Sequence, residues 1–226
     1  MIEEIFSHRS IRKFKDRAIP EDVMRRILEA GIRASNTGNM QVYSIIVTTD
    51  PGLRERLAPC HFNQPCAKQA AAILTFCADI NRFSRWSEHR GAKPEYDNFL
   101  WFLNGAIDTV LASQNVALAA ESEGLGICYL GTTTYTADKI IEVLDLPWGV
   151  VPVTTIVMGY PDENPPLTDR LPLDGVVHTD RYEHYSPQRI DEIWAGKRGV
   201  GADGIAHQGE RSTQPGPHLL RAQVQG

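Results

Sequence analysis

The chain has 226 residues, 42% of them hydrophobic, and a formal net charge of −5. That is enough to bury a sizeable core, while no apolar run reaches the roughly 20 residues that a membrane span needs. The mild acidity and the lack of a basic stripe speak against a nucleic-acid partner, and "MIEEIFSHRS" has neither the basic nor the apolar region of a signal peptide.

In chain order, residues 2–8 read as a short helix with Ile2, Ile5 and Phe6 on one side. Residues 20–34 read as a second, with Pro20 at its start, Glu21 and Asp22 in its first turn, and Val23, Ile27, Leu28 and Gly31 on one face. "VYSIIVT" (42–48) is a β-branched run and predicts a strand. Asp50-Pro51 fits an N-cap and first position of a short helix to Ala58. "AAILTFCA" (71–78) predicts a strand buried on both faces. "ICYLG" (127–131) and "VPVTTIVMG" (151–159) predict two more.

The longest predicted element is a helix over 97–124, about 28 residues or roughly 40 Å, closed by Gly124. Its apolar residues, among them Leu100, Leu103, Ile107, Val110, Leu111, Val116 and Leu118, nearly encircle it. Such a helix is expected to be buried, in a core or against a partner chain. Residues 137–147 and 186–195 predict the last two helices. From Lys197 onward the chain turns to Gly, Pro, Gln and Ser, which reads as a flexible tail. The expected organisation is one α+β domain over 1–196, with central strands covered by helices, and a tail over 197–226. Four cysteines (Cys60, Cys66, Cys77, Cys128) lack metal-site spacing, so no metal is expected, and a reduced cytoplasmic protein is the simplest reading.

Nucleophile elbow, P-loop and zinc-protease motifs are absent. Three stretches carry possible chemistry, each with a plain alternative. In "HRSIRKF" (8–14), Arg9 and Arg12 flank Ser10 and can converge on one phosphate, as fork and short donor; alone, the stretch favours the plainer reading, a solvated basic turn. In "RASNTGNMQVYSIIV" (33–47), Ser35, Asn36, Thr37, Asn39 and Gln41 offer many donors and acceptors in little volume, or form an ordinary turn. In "YLGTTTYT" (129–136), Gly131 lets a backbone N–H approach a flat ligand, or the strand simply ends, with Thr136 as N-cap of the next helix.

Taken in this order, "HRSIRKF", "RASNTGNMQVYSIIVTTDPGLRERL", "AAAILTFCADINRF", "NVALAAESEGLGICYLG" and "GYPDENPPLTDRLP" give the chain its resemblance. It resembles the FMN-dependent nitroreductase/flavin reductase superfamily, most closely the NADPH-preferring, major oxygen-insensitive nitroreductase branch. The resemblance implies a nitroreductase-like α+β fold with a mostly antiparallel central sheet. It implies a homodimer whose interface holds the long helix, with Asn104, Asp108, Gln114 and Asn115 placed to pair across the two-fold axis. It implies an FMN phosphate site at His8, Arg9, Ser10 and Arg12, joined by Arg170. Ser35, Asn36, Thr37, Asn39 and Gln41 would reach the flavin from the partner chain. Gln64 would lie beside the pyrimidine side of the ring, and Tyr129, Leu130, Gly131 and Thr132 along its edge.

The implied activity is NAD(P)H-dependent reduction of nitro compounds, quinones or flavins, in a ping-pong cycle with no catalytic side chain, the chemistry residing at flavin N5. NADPH or NADH is the reductant, and a small molecule the acceptor. A specialised ene-reductase or reductive dehalogenase, and a flavin-binding protein without turnover, are the alternative readings. The chain departs from its close relatives at Thr168, where they carry a lysine, and at Asn39, where they carry an aromatic residue. The family's C-terminal segment does not align with 197–226.

Overall fold

A computed structural model describes residues 2–95 and 98–196. The tail expected over 197–226 lies outside the described residues. The chain divides into two compact units at Pro165–Pro166, inside the span expected to be one domain.

The first unit holds the sheet. Its strands β1 (Tyr43–Thr48), β2 (Ala72–Asp79), β3 (Gly126–Leu130) and β4 (Val150–Gly159) lie in the order β1-β2-β4-β3, antiparallel throughout. Helices α1 (Glu3–Ser7), α2 (Glu21–Gly31), α3 (Pro51–Leu57), α4 (Pro65–Gln69), α5 (Asn81–His89), α6 (Phe99–Ser122) and α7 (Ala137–Leu144) complete the unit. In the second unit α8 (Pro187–Trp194) is capped by Ser186, whose hydroxyl accepts from Arg189 N. There Ile193 packs on Gly175, and Arg189 pairs with Asp174 at 2.6 Å.

Both faces of the sheet are covered, which explains the unbroken apolar run in β2. Ile73 joins Leu57, Cys66, Ile140 and Leu130 on one face. Ala72, Leu74 and Phe76 join Ile27, Val116, Ala120 and Met158 on the other. The two-residue period of a strand therefore sorts β2 between two cores. Pro152 is tolerated in β4 because it sits where the β2–β4 register shifts, beyond the stretch of β4 paired with β3.

Helix ends follow local chemistry. Asp50 Oδ1 accepts from Leu53 N at 2.7 Å, capping α3 as expected. Gly124, at φ +75°, closes α6: its N–H bonds Glu121 O, and Leu125 N bonds Ala120 O. Thr136 precedes α7, but its hydroxyl donates to Cys60 O at 2.6 Å and to Thr132 O at 3.2 Å instead of capping the helix. The buried carbonyl of Cys60 is the nearer acceptor for its single hydroxyl proton.

Helix α6 inverts the usual division of sizes. Its small and polar residues face inward: Gly105, Asp108, Thr109, Ala112, Ser113, Ala117 and Ala120 are buried, with Val116. Leu100, Leu103, Ile107, Val110 and Leu111 are exposed in the single chain. The helix is thus buried on one side only. Asp108 is fully buried and serves its own chain, accepting from Thr37 N and Oγ1 at 2.8 and 3.0 Å. Asn115 Nδ2 donates to Ala30 O at 3.4 Å. Asp108 is thus spent on the loop after α2 and not offered to a two-fold axis as expected, while Asn115 stays half-buried beside α2.

One glycine links the fold to the first candidate stretch. A Cβ on Gly126 would stand 2.6 Å from Ile11 Cγ1. Gly126→Ala should cost about 1–3 kcal/mol by overpacking and shift Ile11 away from β3. Equilibrium urea unfolding checks the first effect; a variant as stable as the wild type would contradict it.

Candidate functional site

The segment after α1 is pinned to β3. Ile11 is buried, and its N–H donates to Ile127 O at 2.8 Å. Phe14 bridges to Pro161 and packs on Gly159. Glu163 Oε1 accepts from both Arg12 N and Lys13 N, at 2.5 and 3.0 Å, and these donors hold the Glu163 carboxyl below its usual range. Between these anchors the side chains of residues 8–12 are presented.

His8 Nδ1 meets Glu121 Oε1 at 2.6 Å. Burial raises the Glu121 carboxyl, against the opposing pull of His8, and Glu121 Oε2 has no hydrogen-bond partner. Arg9 Nη1 donates to Asn164 Oδ1 at 2.7 Å and Pro165 O at 3.1 Å. Ser10 and Arg12 both oppose the rise that burial gives the Cys128 thiol, and Arg12 does the same for Cys66. Among the described residues no carboxylate lies within ion-pair distance of the Arg12 guanidinium. That leaves the Arg12 guanidinium available to an outside anion.

The 35–41 loop is held differently. Gly38, Asn39 and Gln41 take left-handed backbone, with φ of 57°, 56° and 51°. Ser35 is exposed, Thr37 is tied to Asp108, and the buried Asn36 Oδ1 has no partner. Gln41 Nε2 bonds Asn39 Oδ1 at 3.1 Å. Arg82 of α5 donates to Gln41 O, to Tyr43 O at 3.0 Å and to Ser44 Oγ at 3.1 Å, so a residue far along the chain fixes the loop's exit. A cleft of about 540 Å³ borders it, lined in part by Met40, Gln41, Tyr43 and Arg82.

At the end of β3, Tyr129 Oη meets Ser113 Oγ at 3.0 Å, and burial raises the phenol. Leu130 is in the core, so only its backbone is available. Gly131 is exposed, with no atom within 4 Å of where a Cβ would be. Thr132 turns inward, its Oγ1 2.9 Å from Nδ1 of the fully buried His61. His61 belongs to the turn that carries Gln64, whose N–H donates to His61 O at 3.1 Å.

The structure thus brings together residues 8–12, the 61–64 turn and the end of β3. It holds the 35–41 loop apart. That loop is anchored on α6 at Asp108 and the 8–12 segment at Glu121, a separation of roughly 20 Å at helical rise. Arg170 lies in the second unit, where its Nη1 donates to its own loop, to Thr168 O at 3.2 Å and Asp169 O at 3.3 Å. Sequence reading missed His61, Arg82, Glu121 and Glu163, because each gains its role from a partner distant in the chain.

Burial holds the His61 imidazole down to a pKa of about 4, so it is neutral near pH 7. The unfolded chain takes up this proton near pH 6.5 and the folded chain only near 4. Stability should therefore fall as pH drops through that window, by roughly 3 kcal/mol at most, and this term should be flat above it. Denaturant unfolding of wild type minus His61→Asn, from pH 7.5 to 4, isolates it; a difference independent of pH would contradict it.

Comparison with known proteins places this geometry. The Nitroreductase family matches residues 5–160. The chain is 36% identical over 183 residues to an FMN reductase (NADPH) of Bacillus subtilis, covering 80% of this chain and 74% of that one. It is 38% identical over 184 residues to an oxygen-insensitive NADPH nitroreductase of Salmonella typhimurium, with 80% and 74% covered. Its fold superposes on the NADPH:FMN oxidoreductase of Vibrio harveyi complexed with NAD+ with a TM-score of 0.86, at 33% identity, covering 97% of this chain and 94% of that one.

Proposed function

The chain belongs to the nitroreductase family, and from that membership we propose how its residues serve an FMN-dependent NAD(P)H oxidoreductase of nitro compounds, quinones or flavins. The observation that carries the assignment is a single extended edge. The 8–12 segment, with an Arg12 guanidinium that has no ion pair among the described residues, lies along the same strand that ends in the open backbone of Gly131. A cation at one end and a flat, unobstructed backbone edge at the other suit a ligand with a phosphate and a planar ring.

The residues fit FMN. His8, Ser10 and Arg12 would hold its phosphate, with Arg9 braced on Asn164 and shaping the segment. Ser35, Asn36, Thr37, Asn39 and Gln41 would offer the polar groups of their loop to the ribityl chain, as the family resemblance implies. Gln64 and the strand end at 129–132 would border the ring. The assignment of Arg170 rests on the family resemblance alone. FMN, when bound, supplies the hydride chemistry; the chain binds, orients and shields it. The open side at Gly131 would receive reductant and acceptor in turn, which is a ping-pong order. Relatives named for NADPH favour that reductant. Four free, buried cysteines suit a reducing, cytoplasmic setting.

The site needs two chains. A loop anchored roughly 20 Å from its own socket is well placed to serve the socket of a second copy. The exposed aliphatic row of α6 supports the same reading, since a contiguous apolar face of this kind marks an interface.

Anaerobic addition of NADPH to the purified holoprotein should bleach the flavin absorbance, and a nitroaromatic or quinone added afterwards should restore it. A flavin left oxidised by both NADPH and NADH would overturn the oxidoreductase assignment.

A further inference from the structure

The 61–64 turn is an unfavourable piece of backbone. Phe62 and Asn63 both sit at φ 54°, in the left-handed region that costs side-chain-bearing residues energy. Such a turn persists only when its surroundings fix it. Two side-chain bonds join it and the residue before it to the segment between β3 and α7: Thr136 Oγ1 donates to Cys60 O at 2.6 Å, and His61 Nδ1 meets Thr132 Oγ1 at 2.9 Å. His61 is completely buried, yet its Nε2 has no partner among the described residues. A leucine there would avoid that desolvation cost. Core packing alone therefore does not account for an imidazole at this position, and among the described residues its side-chain bond is made at Nδ1.

We propose that His61 is a positioning residue of the flavin site: its Nδ1–Thr132 bond is the joint that sets the turn bearing Gln64 against the strand end bearing Gly131. The inference rests on the flavin assignment above and adds to it a group that touches no ligand. Neutral near pH 7 and sealed from solvent, the imidazole is not a proton carrier; its contribution is geometric. A donor held in place before the ring gains negative charge favours the reduced state more than one that must be reorganised. Loosening the joint should weaken binding of reduced FMN relative to oxidised FMN.

The test is the two-electron midpoint potential of FMN in the holoprotein, with FMN affinity and thermal stability measured alongside. Asparagine places its amide near the Nδ1 position and glutamine near Nε2. His61→Leu, His61→Gln and Thr132→Val should each shift the ratio of affinities for reduced and oxidised FMN about tenfold, a fall of ~30 mV. His61→Asn should stay at the wild-type potential, and His61→Leu combined with Thr132→Val should fall no further than either alone. A purely structural role would lower stability and leave the potential of the folded fraction unchanged. Wild-type potentials in both His61→Gln and Thr132→Val, or additive shifts in the double variant, would overturn the proposal. Should His61→Leu not fold, those two variants carry the same decision. A wild-type chain that takes up no FMN overturns the flavin assignment itself, and is recognised before any variant is made.

Discussion

Replacing Ile107 by arginine should produce a folded monomer that has lost most of its FMN affinity. Leu100, Leu103, Ile107, Val110 and Leu111 follow the spacing of one helical face. All are exposed in the single chain, Ile107 by 49%. Below this row the helix meets the sheet and α2 through small residues: a Cβ on Gly105 would stand 3.0 Å from Ala78 Cβ, and one on Gly31 2.4 Å from Val116 Cγ2. A charge at 107 therefore leaves the chain's own core untouched and falls within the proposed contact, where an unpaired buried guanidinium costs several kcal/mol. That is enough to shift dimer dissociation by roughly a thousandfold or more. Because the 35–41 loop is remote from its own socket, a monomer keeps Arg12 and Gly131 but lacks the second chain's Asn36 and Thr37. Light scattering coupled to gel filtration, with FMN titration on the same sample, checks both parts. A dimer that still binds FMN would remove this face of α6 from the interface.

Arg12→Ala should weaken FMN binding by roughly tenfold to a hundredfold, the range of a charge-assisted contact. The reason lies in how the neighbouring charges are used. Arg9 is engaged by Asn164 and Pro165, and His8 by Glu121, whereas Glu163 takes the backbone of Arg12 and Lys13, so that among the described residues the Arg12 guanidinium has no ion pair. Riboflavin, which lacks the phosphate, should bind wild type and Arg12→Ala alike. Isothermal titration of the apoprotein with both flavins separates a phosphate contact from a general loss of structure. Equal losses for FMN and riboflavin would place Arg12 outside the phosphate site.

The elements that sequence makes legible are those whose cause is local. Asp50-Pro51 starts α3 because the carboxylate caps a nearby N–H, and Gly124 ends α6 because only a residue free to take positive φ closes that turn easily. β2 reads as a doubly buried strand because every residue in it is buried. Helix α5 is silent for the opposite reason: its buried residues are Ser84 and Ser87, while Trp86 is exposed, so no apolar period marks it.

The candidate site divides the same way. "HRSIRKF" and the glycine of "YLGTTTYT" are visible as unusual local compositions. Asp108 reads as a polar residue on an apolar helix, and only the fold reveals that it grips Thr37, far back in the chain. His61 and Arg82 carry no local signal, since the groups they bond, at Thr132 and at residues 41–44, are brought to them by the sheet.

The central claim is that this chain is built to hold FMN. Denaturing the purified protein and measuring the flavin released, by absorbance and by chromatography against FMN, FAD and riboflavin, tests it most directly. The prediction is a yellow protein that releases FMN stoichiometric with the chain, or an apoprotein that takes up FMN to that level. A colourless protein that cannot be reconstituted with FMN would contradict the account.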